Sequence, residues 1–471
     1  MIADEVWSWD AAATAAAIRA RAISSREAVE ASFARLHSVN PQINAVVEVL
    51  EEEALTAADE ADRALANGGA TGALHGVPVT TKINVDVAGH ATTNGLVAMK
   101  DAIALEDGSS VANLRRAGAI VIGRTNVPAF CYRWFTGNDL HGVTNNPWGP
   151  RLSPGGSSGG AGAALAAGIG TIAHGNDVAG SLRLPAGACG VYGMRPTVGR
   201  LPSYNPSAAV ERSLCLQIGA TEGALARSVR DLRLALAALE APDPRDPWQS
   251  PPPQPREDLR MPCRVAIVTG EEEFATAPEI AALVRRAGSW LRDAGYIVDE
   301  VAPPRIAEIA ELWMAMLFAE SSGPTREAMF ALGDEAFRQS FTDTSANYPQ
   351  LDPSAMRQAW ERRLSIQREW SVFLEQRPVI LTPTSCQPTF PIDHDLKGKE
   401  MLAVIAKAFS PLSSVAGLAL PAISAPVGFA AGAPAGVQIV CGRFMEERCL
   451  AVAAVLEERI GRLRPIDLVA A

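Results

Sequence analysis

Two serine-containing segments of the chain have the residue types of a nucleophilic site. The first reads Ser153-Pro-Gly-Gly-Ser-Ser-Gly-Gly-Ala-Gly, and the second, Gly175-Asn-Asp-Val-Ala-Gly-Ser-Leu-Arg, places Ser181 at a predicted strand-to-helix turn. A glycine before the serine lets backbone approach a substrate, and amides rising from a tight turn at a helix start can stabilise an oxyanion. The pattern favours Ser181 as a nucleophile.

A serine nucleophile needs a base, and the sequence offers a lysine and a histidine. Lys82 ends the apolar run Gly76-Val-Pro-Val-Thr-Thr-Lys, where desolvation would lower the pKa of its amine. His174 and Asp177 suggest a Ser-His-Asp triad, but close neighbours along a strand point to opposite faces and triads normally assemble from distant segments. Lys82 is therefore a candidate base, and a lysine that extends to the surface at a strand end is the alternative that the residue alone leaves open.

The glycine- and serine-rich stretch after Ser153 has other interpretations, which neighbouring residues weaken. A flexible linker would be polar and exposed, but this stretch lies between Asn146-Pro-Trp and the apolar run AALAAGIGTIA. A phosphate-binding loop needs Gly-Lys followed by Ser or Thr, and no lysine occurs between Lys100 and Lys397. The ordered strand, Gly-x-Gly-x-x-Gly and downstream acid of dinucleotide sites are also missing.

Composition excludes several function classes. The 471 residues carry a net charge of -10 and no basic cluster of the kind that binds nucleic acid. The seven cysteines are scattered and never spaced as Cys-x-x-Cys, which is typical of reduced thiols in a cytoplasmic protein. No secretory signal and no membrane-length apolar run is evident. We therefore expect a cytoplasmic protein that needs no metal or cofactor and binds neither nucleic acid nor membranes.

Periodicity divides the chain into helical and mixed regions. Short β-like runs such as VPVTTK and AIVIG alternate with helix-like stretches after Gly76, which indicates an α/β sheet with covered faces. The predicted parts are N-terminal helices in 1–70, a catalytic core in 71–240, a proline-rich linker in 241–262, and further strands in 263–471 with a helical cap around 308–376.

Several ordered segments together resemble the amidase-signature family over nearly the whole chain. They are Gly76 to Lys82 with Asp86, Gly123-Arg-Thr-Asn126, Thr144-x-Asn-Pro-Trp148, Gly155-Gly-Ser-Ser-Gly-Gly160, Gly180-Ser-Leu-Arg-x-Pro185, Gly193-x-Arg-Pro-Thr197 and Pro434-Ala-Gly-Val-Gln-Ile. The resemblance implies a single α/β domain over 1–471, with a large mixed, mostly parallel central β-sheet covered by helices on both faces.

The resemblance also implies roles for individual residues. Lys82 would be the base, Ser157, after a cis peptide bond, the proton relay, and Ser181 the nucleophile that forms an acyl-enzyme. Asp177 and Arg183 would order the site. The implied oxyanion hole consists of the backbone amides of Val178, Ala179, Gly180 and Ser181.

Departures from the family pattern bear on the substrate. Family members commonly carry Thr-Gly-Gly before the nucleophile, where this chain has Val-Ala-Gly, and Ala129 replaces a commonly acidic residue. Bulky aromatic residues follow it. Because ligand sites are largely apolar and aromatic, the residues expected to line a substrate pocket are Tyr132, Trp134, Phe135, Tyr204 and the region from Trp313 to Phe318.

These features predict a stand-alone amidase, monomeric or homodimeric, that cleaves the C–N bond of small apolar or aromatic amides. Esters and carbamates, including urethanes, are further substrates for the same acyl chemistry. The alternative is a glutamine amidotransferase A-type subunit that acts with partner chains on charged tRNA, against which the acidic charge counts. A catalytically silent binding protein on the same fold is the third hypothesis, and the intact Lys82, Ser157 and Ser181 argue against it.

Overall fold

The N-terminal part of the chain is helical and is stabilised by side-chain caps. The computed structural model describes residues 3–69, 71–250, 261–461, 463 and 466–468. Asp10 caps helix α1 (Ala11–Arg19) by accepting the Ala13 amide, and Ser24 with Glu27 forms a capping box at α2 (Ser25–Ile43). Helix α3 (Glu51–Ala66) follows a short strand and carries three glutamates in its first turn, where they complement the helix dipole.

Eleven strands of the described chain form one sheet, and two more form a small separate ribbon. The strands are β1 Val46–Val49, β2 Pro78–Lys82, β3 Ile120–Thr125, β4 Gly137–Asn138, β5 Gly142–Val143, β6 Ile172–Asp177, β7 Tyr192–Arg195, β8 Thr221–Ala226, β9 Arg264–Ile267, β10 Ile297–Glu300, β11 Val379–Pro383, β12 Ala422–Ala430 and β13 Ala433–Cys441. The spatial order is β1-β3-β2-β6-β8-β7-β12-β13-β11-β9-β10, and β4 pairs with β5.

Helices connect and cover these strands. The remaining α-helices are α4 Ser109–Arg116, α5 Gly159–Ala166, α6 Arg183–Cys189, α7 Leu214–Gly219, α8 Val229–Leu239, α9 Pro278–Asp293, α10 Ile306–Glu320, α11 Pro324–Leu332, α12 Glu335–Ser345, α13 Pro353–Gln376, α14 Lys399–Ala408, α15 Ser410–Gly417 and α16 Glu446–Ile460. Short 3-10 turns occur at Ala3–Ser8, Val97–Met99, Ala129–Cys131 and His394–Leu396. None of the helices in the described ranges is long and apolar enough to cross a membrane.

The predicted large mixed sheet is confirmed, but the expectation that parallel pairs predominate is wrong. Six neighbouring pairs in the sheet are antiparallel and four are parallel. The hairpin of β12 and β13, together with the reversed β7 and β8, accounts for the central antiparallel part. Short apolar runs show that strands are buried, but they carry no information about strand direction.

Both faces of the sheet are buried, as alternate residues of β9 illustrate. Val265 and Ile267 pack in the cluster that includes α8, α9 and α16, whereas Ala266 belongs to the cluster beneath α13, α14 and α15. Strands from before and after the proline-rich segment pair within this one sheet. We propose that the chain is a single domain for that reason.

Part of the sequence-based division falls outside the described residues. Residues 251–260 of the predicted linker are outside them, as are residues 1, 2 and 70 of the predicted N-terminal helical region. The described part of the linker has no helix or strand, and the Ser250 amide binds the Gly199 carbonyl at its end.

The sheet topology determines where polar side chains can meet. β2 and β6 are parallel neighbours, so their carboxyl ends lie at the same edge of the sheet. Lys82 ends β2 and Asp177 ends β6. Helix α6 begins directly after the turn that follows Asp177, which places a strand end, a tight turn and a helix start together.

Replacing Leu450 with alanine tests how much α16 contributes to the core. The side chain is fully buried against the sheet, so its loss is expected to lower the free energy of unfolding by about 2–5 kcal/mol. Urea denaturation followed by circular dichroism measures this change. Leu105→Ala is the matched control, because Leu105 is 91% exposed; equal destabilisation by the two variants would contradict the packing described for α16.

Candidate active site

Lys82 and the two predicted catalytic serines lie together at the edge formed by β2 and β6. Lys82 Nζ donates to Ser157 Oγ at 2.8 Å. The Ser158 amide donates to the Ser181 carbonyl at 3.2 Å, which joins the two serine segments. The Gly156–Ser157 peptide bond is cis, as the resemblance implied. All three predicted catalytic side chains are buried, with Ser181 the most accessible at 6% exposure.

The environment of Lys82 favours a neutral amine. Its side chain is fully buried, and besides Ser157 it donates to Asn176 Oδ1 at 2.7 Å. Burial lowers the pKa of Lys82 below its usual value, and nearby acidic groups oppose this effect without cancelling it. A neutral amine hydrogen-bonded to Ser157 can accept a proton from that hydroxyl.

Asp177 organises the turn that carries Ser181. Arg183 binds both carboxylate oxygens of Asp177, at 3.0 and 2.8 Å. Although burial alone would raise it, the pKa of Asp177 is held well below its usual range by the guanidinium groups of Arg183 and Arg195. The same carboxylate accepts the amides of Gly180 and Leu182, so it fixes the backbone on both sides of the nucleophile.

The backbone before Ser181 is held by two tryptophans. Trp134 Nε1 donates to the Ala179 carbonyl at 3.0 Å, and Trp313 Nε1 donates to the Val178 carbonyl at 2.9 Å. In a planar trans peptide group the carbonyl and the amide N–H point in opposite directions, so a hydrogen bond that fixes the carbonyl also fixes the direction of the N–H. The indoles therefore fix the orientation of the peptide planes in the predicted oxyanion turn.

One amide assigned to the oxyanion hole is already engaged. The Gly180 amide donates to Asp177 Oδ1 at 2.8 Å, because the aspartate closes the turn. The amides of Val178, Ala179 and Ser181 find no acceptor among the described residues. The prediction for the oxyanion hole therefore narrows to these three groups.

Glycine is required at Gly180 by conformation and by space. Its φ is +108°, in the region that side chains disfavour. A Cβ atom there would lie 2.7 Å from Leu412 Cδ1, on the helix that packs against the turn. Any larger residue would displace the turn from its neighbour.

Three of the four predicted pocket residues lie near the serine turn, and the fourth does not. Tyr132 packs edge to face with Phe318 and Phe337, in an apolar cluster that also contains Ala179. Trp134 contacts the turn, and Phe135 is buried against Leu184. Tyr204 lies outside this cluster, with its ring 4.6 Å from the guanidinium of Arg245 and its carbonyl bound to the Ser109 amide at the start of α4; its place in the substrate pocket stays a prediction.

The structure contains no Ser-His-Asp triad at His174. His174 Nε2 lies 3.0 Å from Glu222 Oε2, whereas the Asp177 carboxylate binds Arg183. The two residues are three apart on β6 and face opposite sides of the strand. His174 is therefore separate from Ser181.

Sequence reasoning missed several residues that contact the predicted site. Asn176 belongs to the segment that carries Ser181. Nothing in the sequence indicated, however, that its side chain accepts a hydrogen bond from Lys82. The Cys131 thiol donates to Asn94 Oδ1 at 3.4 Å and interacts with the Lys82 and Ser157 side chains, and burial raises its pKa. Trp313, from the distant helix α10, lies in a region expected to line the pocket, but its bond to the Val178 carbonyl had no local signal.

The tail motif around Gln438 has a clear structural place. Gln438 on β13 accepts a hydrogen bond from Arg183 and donates to Thr382 Oγ1 and to the Pro411 carbonyl. It thereby connects the Asp177–Arg183 pair to the second half of the sheet. Among the described residues, no group of three metal-ligating side chains lies close enough to hold an ion.

Comparison with known proteins agrees with this geometry. The sequence profile of the amidase family matches residues 27–450. Indoleacetamide hydrolase from Bradyrhizobium diazoefficiens is 44% identical over 459 residues, which are 97% of this chain and 88% of that protein. The A-type component of glutamyl-tRNA(Gln) amidotransferase from Moorella thermoacetica is 32% identical, covering 93% of each chain.

A solved structure with the same fold supports the similarity. The 6-aminohexanoate cyclic dimer hydrolase, solved in complex with substrate, superimposes with a TM-score of 0.82 at 29% identity. The alignment covers 98% of this chain and 99% of that one.

Trp313→Phe tests whether the indole bond to the Val178 carbonyl positions the oxyanion turn. We expect kcat for an amide substrate to fall roughly tenfold with little change in KM, less than the 10²- to 10³-fold loss on removing an oxyanion donor itself. Steady-state kinetics measure this. Trp370→Phe is the control, because Trp370 is also buried but its indole donates to the Pro304 carbonyl; an equal fall in kcat for both variants would contradict a specific role of Trp313.

Proposed function

The chain belongs to the amidase family, and from this premise we propose that it is a stand-alone hydrolase of primary amides of arylacetic acids, acting through a Ser181 acyl-enzyme. The observation that carries the proposal is the buried contact of 2.8 Å between Lys82 Nζ and Ser157 Oγ, next to the turn that presents Ser181. Hydrolysis of an amide bond follows from membership of the amidase family.

The first chemical step is a proton relay. Neutral Lys82 accepts the proton of Ser157, which accepts the proton of Ser181 as its oxygen attacks the amide carbonyl. Lowering of the Lys82 pKa by burial supplies the neutral amine that this step needs. Asn176 contributes a second acceptor for Lys82, which orients the amine toward Ser157.

The attack places a negative charge on the carbonyl oxygen. We assign the stabilisation of this charge to the amides of Val178, Ala179 and Ser181, since the Gly180 amide is bound to Asp177. The Lys82 proton then returns through Ser157 to the leaving nitrogen, and the C–N bond breaks. Water, activated by the same relay, releases the acid and regenerates Ser181.

An aromatic acyl group fits the surroundings of the turn. Ala179 and Val178 belong to one apolar cluster with Tyr132, Phe318 and Phe341, and α10 to α13, which we propose as a cap, contribute most of its rings. Stacking against such rings favours a planar substituent. The relative named indoleacetamide hydrolase supports an indole or phenyl group on the acyl side.

The amidotransferase alternative is less well supported. The relative of that name is 32% identical, against 44% for the indoleacetamide hydrolase. A net charge of -10 also disfavours contact with tRNA phosphates. Esters and carbamates remain candidate substrates, because the same acyl-enzyme accepts other leaving groups.

We further propose that the protein acts in the cytoplasm as a monomer or homodimer. All seven cysteines are free thiols, which supports a reducing compartment.

Hydrolysis by the purified chain alone tests the proposal. Ammonia release is measured with indole-3-acetamide, phenylacetamide and L-glutamine, and chromogenic release with an anilide, a p-nitrophenyl ester and an aryl carbamate. We expect the two arylacetamides to be the best amide substrates. Ser181→Ala is expected to lower kcat by about 10⁴-fold or more, because it removes the nucleophile.

Ser158→Ala is the matched control for Ser181→Ala. The Ser158 hydroxyl is buried without a hydrogen-bond partner in the described structure, and the substitution keeps its backbone amide, so we expect kcat within about threefold of wild type. Full activity of Ser181→Ala would exclude the proposed nucleophile. Activity on glutamine alone would instead favour the amidotransferase.

A further inference from the structure

A buried acid and a buried histidine beside the site take no part in the reaction described above. His174 is fully buried and Glu222 is 5% exposed, and His174 Nε2 lies 3.0 Å from Glu222 Oε2. Placing an ionisable pair inside a protein costs free energy unless its surroundings compensate. The pair therefore needs an explanation that the proton relay does not provide.

The sheet places Glu222 one side chain away from the catalytic lysine. β6 and β8 are antiparallel, and Asn176 pairs directly with Glu222. Directly opposite residues in such a pair point to the same face with their Cβ atoms about 5 Å apart. Asn176 Oδ1 accepts from Lys82 Nζ at 2.7 Å, so Asn176 links the two residues, and the charge of Glu222 raises the pKa of Lys82.

The carboxylate is kept ionised by its neighbours. Burial alone would raise the pKa of Glu222, but the hydrogen bond and the charge of His174, the charge of Arg212 and the hydroxyl of Ser203, at 2.8 Å, lower it to about 2. His174 Nδ1 finds no partner among the described residues. Because a carboxylate only accepts hydrogen bonds, the contact with Glu222 places a proton on Nε2 of His174.

The other acidic groups near Lys82 are either paired with arginines or protonated. Asp177 is neutralised by Arg183 and Arg195. The Cys131 thiol stays protonated because burial raises its pKa. The charged and titratable groups that face Lys82 or its acidic neighbour are Cys131, Asp177, Arg183, Arg195, His174, Glu222 and Arg212. Among the described residues, the Glu222 carboxylate is bound by His174 and Ser203 but, unlike Asp177, accepts no hydrogen bond from an arginine.

We propose that Glu222 is a positioning residue for the base: its carboxylate, fixed by His174 and Ser203, stabilises the Lys82 ammonium that forms in each turnover. This inference rests on the proposed role of Lys82. Burial makes the amine neutral and ready to accept a proton, but burial alone would also make it a weak base. A fixed anion behind Asn176 restores part of its proton affinity without donating or accepting a proton itself.

Glu222→Gln tests this role through the pH dependence of catalysis. Without the anion, the Lys82 pKa falls further, so the acidic limb of kcat/KM is expected to move to lower pH by about one unit. The rate on the alkaline plateau is expected to fall about tenfold, because a weaker base accepts the proton less readily. A second readout is the pH dependence of Ser181 phosphonylation by a fluorophosphonate, followed by intact mass.

Arg212→Gln provides the opposite perturbation. Arg212 NH2 lies 3.6 Å from Glu222 Oε1 and its side chain is 37% exposed, so the substitution is expected to leave the fold intact. Removing this cation makes the anion more effective, and the acidic limb is expected to move to higher pH by roughly 0.3 unit. Opposite shifts from the two variants would not arise from a general loss of stability.

Two further variants complete the design. Glu446→Gln is the control, because Glu446 is also a buried carboxylate but binds the Thr197 amide, and its acidic limb is expected to stay in place. Glu222→Asp retains the charge and is expected to restore most of the wild-type profile. Should Glu222→Gln fail to fold, Arg212→Gln and Glu222→Asp carry the test.

The outcomes separate this inference from the function beneath it. An unmoved acidic limb in folded Glu222→Gln, or in Arg212→Gln, would overturn the role of Glu222 while Lys82→Ala stays inactive. Full phosphonylation of Lys82→Ala at neutral pH would instead overturn the proposed base, and the inference with it.

Discussion

The burial of one amine is the constraint on which the site depends. Lys82 ends a strand that is paired on both sides, and its side chain is fully buried. A charged ammonium is costly in that position, so burial lowers the pKa of the lysine, which is bonded to Ser157 and Asn176. The parallel pairing of β2 and β6 then decides that this amine faces the turn after β6.

The nucleophile turn is rigid because several groups share its backbone. Asp177 accepts two amides of the turn and is itself clamped by Arg183, which Gln438 connects to a strand more than 200 residues later in the chain. Two indoles hold the carbonyls before Ser181. Preorganised donors of this kind need no rearrangement when charge develops on a substrate.

Opposing electrostatic effects meet around the catalytic groups. Burial lowers the proton affinity of Lys82, whereas nearby anions raise it, and the balance determines how readily the amine both accepts and returns a proton. Two arginines compensate the Asp177 charge, and its carboxylate holds the backbone of the turn. The Glu222 charge is met by a single, more distant guanidinium, that of Arg212. The two carboxylates, close in space, are thus suited to different tasks.

The sequence by itself determined the candidate groups, because their segments are local: an apolar run that ends in Lys82 and a tight turn at Ser181, to which the family resemblance added Ser157. Their catalytic roles stay predictions. Periodicity also indicated an α/β sheet with covered faces, since it reports burial, whereas the large mixed sheet was implied by the family resemblance. Only the tertiary structure decided the direction of the central strands, the contact of Tyr204 with Arg245 and the engagement of the Gly180 amide. Contacts such as Trp313 with the Val178 carbonyl join residues 135 positions apart, and their geometry follows from strand order and helix packing, which no local pattern encodes.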